Sequence, residues 1–214
     1  MIRERIKRLL APLRYPHPVP ELSNDRLYLY LDALWRTRAL PGAAVEIGCF
    51  QCATSAWGYR FLNAIGAPRP YICVDTFSGF PDEQFNNDVR LGTKASHRAG
   101  FRANSQALVR QLLEQWQCDG IQLVQADIVA LPATALPDAI AVALIDVDLE
   151  TPTLAALDMV YARLAPNGII LVDDCAENDM FRGARVAYRR FVQDHQLPER
   201  YVFGMGCIGQ TTGT

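Results

Sequence analysis

Two acidic pairs close two strongly apolar runs: Ala143-Leu144-Ile145-Asp146-Val147-Asp148 and Ile169-Ile170-Leu171-Val172-Asp173-Asp174. Carboxylates are hard oxygen donors, and four in one place repel one another unless a cation or a proton intervenes. Oxygen-only ligands suit Mg²⁺, Ca²⁺ or Mn²⁺ rather than zinc. A divalent cation lowers the pKa of a nearby diol hydroxyl, and a carboxylate such as Asp148 then takes the proton, a step worth about 10²–10⁴-fold. Apolar runs of this kind read as strands of a parallel sheet covered on both faces. Open α/β folds bind ligands at the carboxyl edge of such a sheet. Alternation along a strand sends Asp146 and Asp148 to the same side. Any one Asp alone reads equally well as a cap on the next helix or turn.

A second set lies in the amino-terminal half. Val45-Glu46-Ile47-Gly48-Cys49-Phe50-Gln51-Cys52-Ala53-Thr54 reads as a strand, a glycine turn and a helix start. Such a turn admits a ligand to the backbone at the positive end of a helix dipole. It lacks the G-x-G-x-x-G of dinucleotide folds. Glu46 is wrong for a pyrophosphate but suits a cationic head. Asp75, closing the next strand, is placed to accept from ribose hydroxyls, and Asp127, closing the third, from an adenine amino group. Together they describe a nucleoside whose other end is positive, and S-adenosylmethionine is that ligand.

These residues need elements to hold them. Leu27, Leu31, Leu34 and Trp35 make a helical stripe over 24–39, ended by Pro41-Gly42. Strands follow at 43–47, 71–76, 121–125, 140–146 and 169–173, with helices at 54–65, 103–116 and 184–194. Thr151-Pro152 reads as an N-cap and first helical position, the helix carrying Leu154, Leu157, Tyr161 and Leu164 and stopping at Pro166-Asn167-Gly168. The polar stretch 78–100 has no clear period and reads as a functional loop, a lid, in which Lys94 and His97 are candidate auxiliary bases. A terminal hairpin spans 201–210 and turns at Gly204 and Gly206. Strands alternating with helices give an α/β, doubly wound, mainly parallel sheet with a C-terminal antiparallel hairpin.

The chain has 214 residues, half of them hydrophobic, and a net charge of −2. That suits one domain with a full core and leaves no electrostatic footprint for nucleic acid. No apolar run approaches the roughly 20 residues of a membrane span, and the N-terminus lacks a signal-peptide core. Reduced thiols and no export signal point to the cytoplasm. Cys49 and Cys52 form a single C-x-x-C; without a second pair, and with the three histidines scattered, they read as small buried hydrophobes. Residues 1–20 read as a basic amphipathic arm and linker, with Ile2, Ile6, Leu9 and Leu13 on one face. It suits docking onto the domain or a second copy better than a membrane surface.

Val45-Glu-Ile-Gly48, Val74-Asp-Thr-Phe-Ser-Gly-Phe-Pro81, Leu144-Ile-Asp-Val-Asp-Leu-Glu150 and Val172-Asp-Asp174 resemble the macrocin O-methyltransferase (TylF-type) family over about 21–191. The resemblance implies a Rossmann-like class I methyltransferase domain over 21–214, with its lid at about 78–102, that uses S-adenosylmethionine and Mg²⁺ to methylate a sugar or phenol hydroxyl of a small molecule or glycoconjugate. It implies Asp146, Asp173 and Asp174 as metal ligands, Asp148 as general base, and Glu46, Gly48 and Asp75 as cofactor residues. Two departures stand out. Cys52 and Ala53 replace the family's usual glycines and narrow the room beside the methionyl group. Glu150 follows Leu149 where the family often has tyrosine. Two alternatives compete: an inactive binding protein on the same fold, and a haloacid dehalogenase-type phosphatase using the D-x-D and D-D loops. The latter needs a lysine between them, and residues 149 to 172 hold only Arg163.

Overall fold

Strands β1 (Ala43–Ile47) and β4 (Ile140–Ile145) are buried at every position, as strands covered on both faces must be. In the computed structural model, which describes residues 16–209 together with Ile6, Leu10 and Leu13, they lie side by side in a seven-stranded sheet. With β2 (Tyr71–Asp75), β3 (Ile121–Gln125), β5 (Leu164–Val172), β6 (Tyr201–Val202) and β7 (Met205–Ile208), the order is β3-β2-β1-β4-β5-β7-β6. The first five strands are parallel; β7 runs antiparallel to β5 and β6. The order reverses between β1 and β4, so a crevice opens at their carboxyl ends.

Helices cover both faces. On one, α1 (Asn24–Arg36), α2 (Ala53–Ala64) and α4 (Gln106–Gln115) bury Leu29, Tyr30, Leu34, Leu62 and Leu112 against Ala44, Cys73, Val142 and Leu171. On the other, α5 (Glu150–Tyr161) and α6 (Gly183–Asp194) bury Leu157, Val160, Tyr188 and Phe191 against Val45, Ile145 and Ile170. The stripe expected on α1 is turned slightly: Tyr30 and Ala33 are buried, whereas Trp35 is exposed and carries the Arg38 guanidinium over its ring.

Several local expectations are corrected. Residues 78–100 contain α3 (Asp82–Arg90) and a 3₁₀ turn (Ala95–Ala99). Helix α5 begins at Glu150, so Pro152 lies within its first turn, where the missing N–H is harmless. Leu164 to Gly168 belong to β5, because Leu164 pairs with Ile140 and a bulge absorbs the extra residues before Ile169 pairs with Val142. The hairpin turns on Phe203 and Gly204, both at positive φ. Gly206 lies inside β7, where a Cβ would come within 2.8 Å of the Tyr188 ring. Of the amphipathic arm, Ile2 and Leu9 lie outside the described residues, as does Gln210 of the hairpin; Ile6 and Leu13 are helical and exposed. Among the described residues no helix is long and apolar enough to cross a membrane.

Candidate active site

Backbone bonds between strand ends bring the acidic residues together. The Asp146 N–H donates to Ile47 O at 2.8 Å and the Asp173 N–H to Ile145 O at 2.9 Å, so the carboxyl ends of β1, β4 and β5 are level. Gly48 continues the row by donating to Val74 O at 2.8 Å. Its φ is +86°, and a Cβ there would sit 1.8 Å from Asp146 O. The close approach of the next strand therefore demands this glycine, whatever ligand lies above it. A cavity of about 660 Å³ opens over the row, and Glu46, Gly48, Asp75, Asp127, Asp146, Asp148, Asp173 and Asp174 all line it.

Asp146 and Asp148 meet by a different route from strand alternation. Strand β4 ends at Ile145, and the chain turns tightly through Asp148 (φ +64°), with the Leu149 N–H donating to Val147 O at 2.6 Å. That three-residue turn is a strained conformation for a residue with a Cβ. It drops the Asp148 side chain onto the other acids, beside the Asp174 carboxyl. Burial is the chief cause that pushes all four pKa values up, with mutual repulsion adding to it; Asp173 reaches about 7.

Among the described residues one cation answers this charge, and the sequence did not announce it. Arg26, from the start of α1, donates to Asp173 Oδ1 at 2.8 Å, Asp174 Oδ1 at 3.5 Å and Asp179 Oδ1 at 2.7 Å, and its Nε donates to Phe203 O at 3.1 Å. Burial disfavours its charge, but the three carboxylates outweigh that and push its pKa up. Asp179, beyond the Asp173-Asp174 pair, was also missed. Both meet the site only across the fold, and no local spacing marks them.

On the opposite wall, Asp75 holds the turn after β1. Its Oδ2 accepts from the Cys49 and Phe50 N–H groups at 3.0 and 2.9 Å, and its Oδ1 from the Phe77 N–H at 2.6 Å. Burial raises its pKa, and those three donors oppose the shift. Asp127 accepts from its own Val129 N–H at 3.0 Å and from Gln84 Nε2 on α3 at 2.6 Å. Glu46 is buried, and its Oε2 accepts from Ser55 Oγ at 2.7 Å and Tyr71 Oη at 3.1 Å. Burial pushes its pKa well up, which disfavours the free anion read from the sequence.

The remaining wall is aromatic. Phe50, Phe80, Phe101 and Phe181 stack edge to face with centroids 5.2–5.4 Å apart in successive pairs, and all four border the cavity. Three come from the segment read as a polar lid or from the run before α6. Neither Lys94, which is exposed, nor His97, which packs against Phe181 at 5.8 Å, lines the cavity.

The sheet order, the crevice and the acidic strand ends define a class I methyltransferase fold. Comparison with known proteins is more specific: the model of the macrocin-O-methyltransferase (TylF) family matches residues 30–202, and the chain belongs to that family and is an O-methyltransferase. No curated protein sequence matches it significantly. Among solved structures it is similar to the O-methyltransferase NovP, with 18% identity, TM-score 0.70 and 97% of each chain covered. It is also similar to the calicheamicin methyltransferase CalS11, with 22% identity, TM-score 0.67, and 97% of this chain and 91% of that one covered. An O-methyltransferase from Bacillus cereus, solved in complex with SAH, shares 12% identity at TM-score 0.58, covering 96% and 90%. Family membership removes the phosphatase alternative.

Proposed function

We propose that the chain transfers a methyl group from S-adenosylmethionine to a hydroxyl of a sugar or phenol carried by a small molecule or glycoconjugate, with the help of a divalent cation. The observation that carries this is the single cavity joining the Asp75–Gly48 wall to the four carboxyls at the ends of β4 and β5. The donor set fits a hard cation, since four carboxyls, two of them buried and two partly so, converge on one edge beside Arg26, and burial together with neighbouring carboxylates pushes their pKa values up. Asp146, Asp173 and Asp174 would hold it, and when bound it lowers the pKa of a substrate hydroxyl by its charge.

The chain's own groups do the rest. Asp75 has lone pairs left for ribose hydroxyls after its backbone donors are served. Asp127 is open to an adenine amino group if Gln84 yields its place. Gly48 lets the methionyl end approach the backbone, and Glu46 lies beneath it. Asp148, ionised once the cation offsets the neighbouring negative charge, accepts the hydroxyl proton, and a raised pKa makes it a stronger base than an ordinary carboxylate. The aromatic wall excludes water from the acceptor and positions it for in-line attack. Phenylalanines also suit the apolar faces of sugar or phenol rings.

Calorimetry with S-adenosylhomocysteine and with NAD tests the cofactor assignment: the first binds and the second does not, and the reverse would overturn it. Methyl transfer that persists undiminished in chelator would remove the cation.

A further inference from the structure

Behind the Gly48 turn, away from the carboxylate cluster, three thiols meet. Cys49 and Cys52 bracket the turn into α2, and Cys73 lies on β2 beside Glu46 of β1. Their sulfur atoms all lie within 4.8 Å of one another, and all three residues are buried. Around a metal ion with bonds of about 2.3 Å, neighbouring thiolates stand about 4 Å apart, so the fold already holds them near that spacing. The C-x-x-C alone lacked a partner in sequence; the pairing of β1 with β2 supplies it.

Three further features suit a thiolate site. Cys52 is the N-cap of α2, in a left-handed backbone conformation (φ +59°), at the helix end that favours negative charge. Cys73 Sγ lies 3.2 Å from Ser55 Oγ, which is itself held by Glu46 Oε2, so a hydroxyl stands beside the sulfur and can turn its proton onto it once Cys73 is a thiolate. Cys49 borders the cofactor cavity, which gives an ion its way in.

We propose that Cys49, Cys52 and Cys73 form a second cation site, a three-thiolate centre for a soft d¹⁰ ion, Zn²⁺ or Cu⁺. Soft sulfur ligands select such ions against the hard cations that suit the carboxylates. Binding releases thiol protons and tightens as pH rises. The ion also acts on the cofactor wall, because the Cys49 and Phe50 N–H groups hold Asp75. Fixing Cys49 fixes that turn.

The test uses the full chain, reduced with a phosphine and stripped of metal. It carries Asp173→Asn and Asp174→Asn so that the carboxylate site does not compete. Titration with Co²⁺ gives a sulfur-to-cobalt charge-transfer band saturating at one ion per chain. Competition against chromophoric chelators with Zn²⁺, and separately with Cu⁺, tells which ion is held more tightly. Cys73→Ser loses the band and weakens binding by about 100-fold or more, beyond the loss typical of an outer-shell partner. Cys118→Ser, a buried thiol outside the cluster, keeps both. Independently of any cysteine variant, the preferred ion raises the Tm of the otherwise unaltered cluster. The proposal is overturned if the reduced protein, its thiols verified after denaturation, shows neither the band nor binding of either ion. A band that survives Cys73→Ser in folded protein overturns it equally.

Discussion

Asp148 combines a strained backbone with the proposed proton-accepting side chain, and the two can be separated. Asn tolerates positive φ as well as Asp does, so Asp148→Asn keeps the turn and removes the base. We expect kcat to fall by about 10²-fold or more while affinity for S-adenosylhomocysteine, read by calorimetry, stays within a fewfold. An unchanged kcat on a methylated acceptor would move the base elsewhere. Glu46 gives a pH prediction. Its folded pKa lies well above the ordinary carboxyl value, chiefly through burial. Between the two values the folded chain keeps a proton that the unfolded chain has lost, so stability falls as pH rises through that window. Glu46→Gln preserves the shape and abolishes the slope. The variant should therefore gain on wild type in denaturant titrations as pH goes from 4 to 8; parallel profiles would show an ionised Glu46. At this scale the convergence of all eight candidate residues on one cavity was legible, because each lies at or beside the end of a strand-forming apolar run. Arg26, Asp179 and Cys73 were not, because their partners are remote in sequence.

Helix α3 shows what local pattern cannot carry. Its residues, Asp82 to Arg90, are mostly polar, and only Phe85 and Asp88 are fully buried. A period read from so few apolar positions is weak, and the helix depends on tertiary ties. Asp88 supplies them: its Oδ1 accepts from the Glu150 N–H at the start of α5 at 2.9 Å, and its Oδ2 from Thr93 Oγ1 at 2.5 Å. Thr93 in turn accepts from the Arg182 N–H at 3.1 Å, and a Cβ on Gly183 would sit 2.0 Å from Asp88 Oδ1. The segment read as a loose lid is therefore pinned between α5 and α6, next to the Asp148 turn. Asp88→Ala leaves buried donors unsatisfied, at about 1–3 kcal/mol each. Amide exchange in 82–99 and 150–153 should accelerate and KM for acceptor should rise, with cofactor affinity little changed. Exchange confined to 82–90 would mean that the tie to α5 contributes little. The same override explains Thr151-Pro152 and Pro166-Asn167-Gly168: backbone pairing fixed the boundaries, and the breakers were accommodated inside elements.

Across the whole molecule, the reversal of strand order between β1 and β4 gathers one half's cofactor wall and the other half's carboxyls at a single edge. Strand count, the alternation of strands with their covering helices and this crevice were legible, since alternating apolar strands and helices leave few topologies. What closes the edge was not. Arg26 reaches from α1 to the ends of β5 and of the terminal hairpin, so the first described helix is bound to the acidic cluster by charge as well as by its apolar face. On the proposed reading, Arg26 and a divalent cation answer the same carboxylates. Arg26→Ala in chelator leaves largely buried acids without a counter-charge, a loss of about 3 kcal/mol, or roughly 6–12 °C in Tm for a chain of this size. A cation that occupies Asp173 and Asp174 restores neutrality, so Mg²⁺ should recover most of that loss in the variant while changing wild-type Tm less. Calorimetry should show tighter Mg²⁺ binding to Arg26→Ala than to wild type, because no guanidinium has to give way. Equal affinity would mean that ion and arginine sit side by side on the cluster, with Arg26 a permanent part of the cation's surroundings.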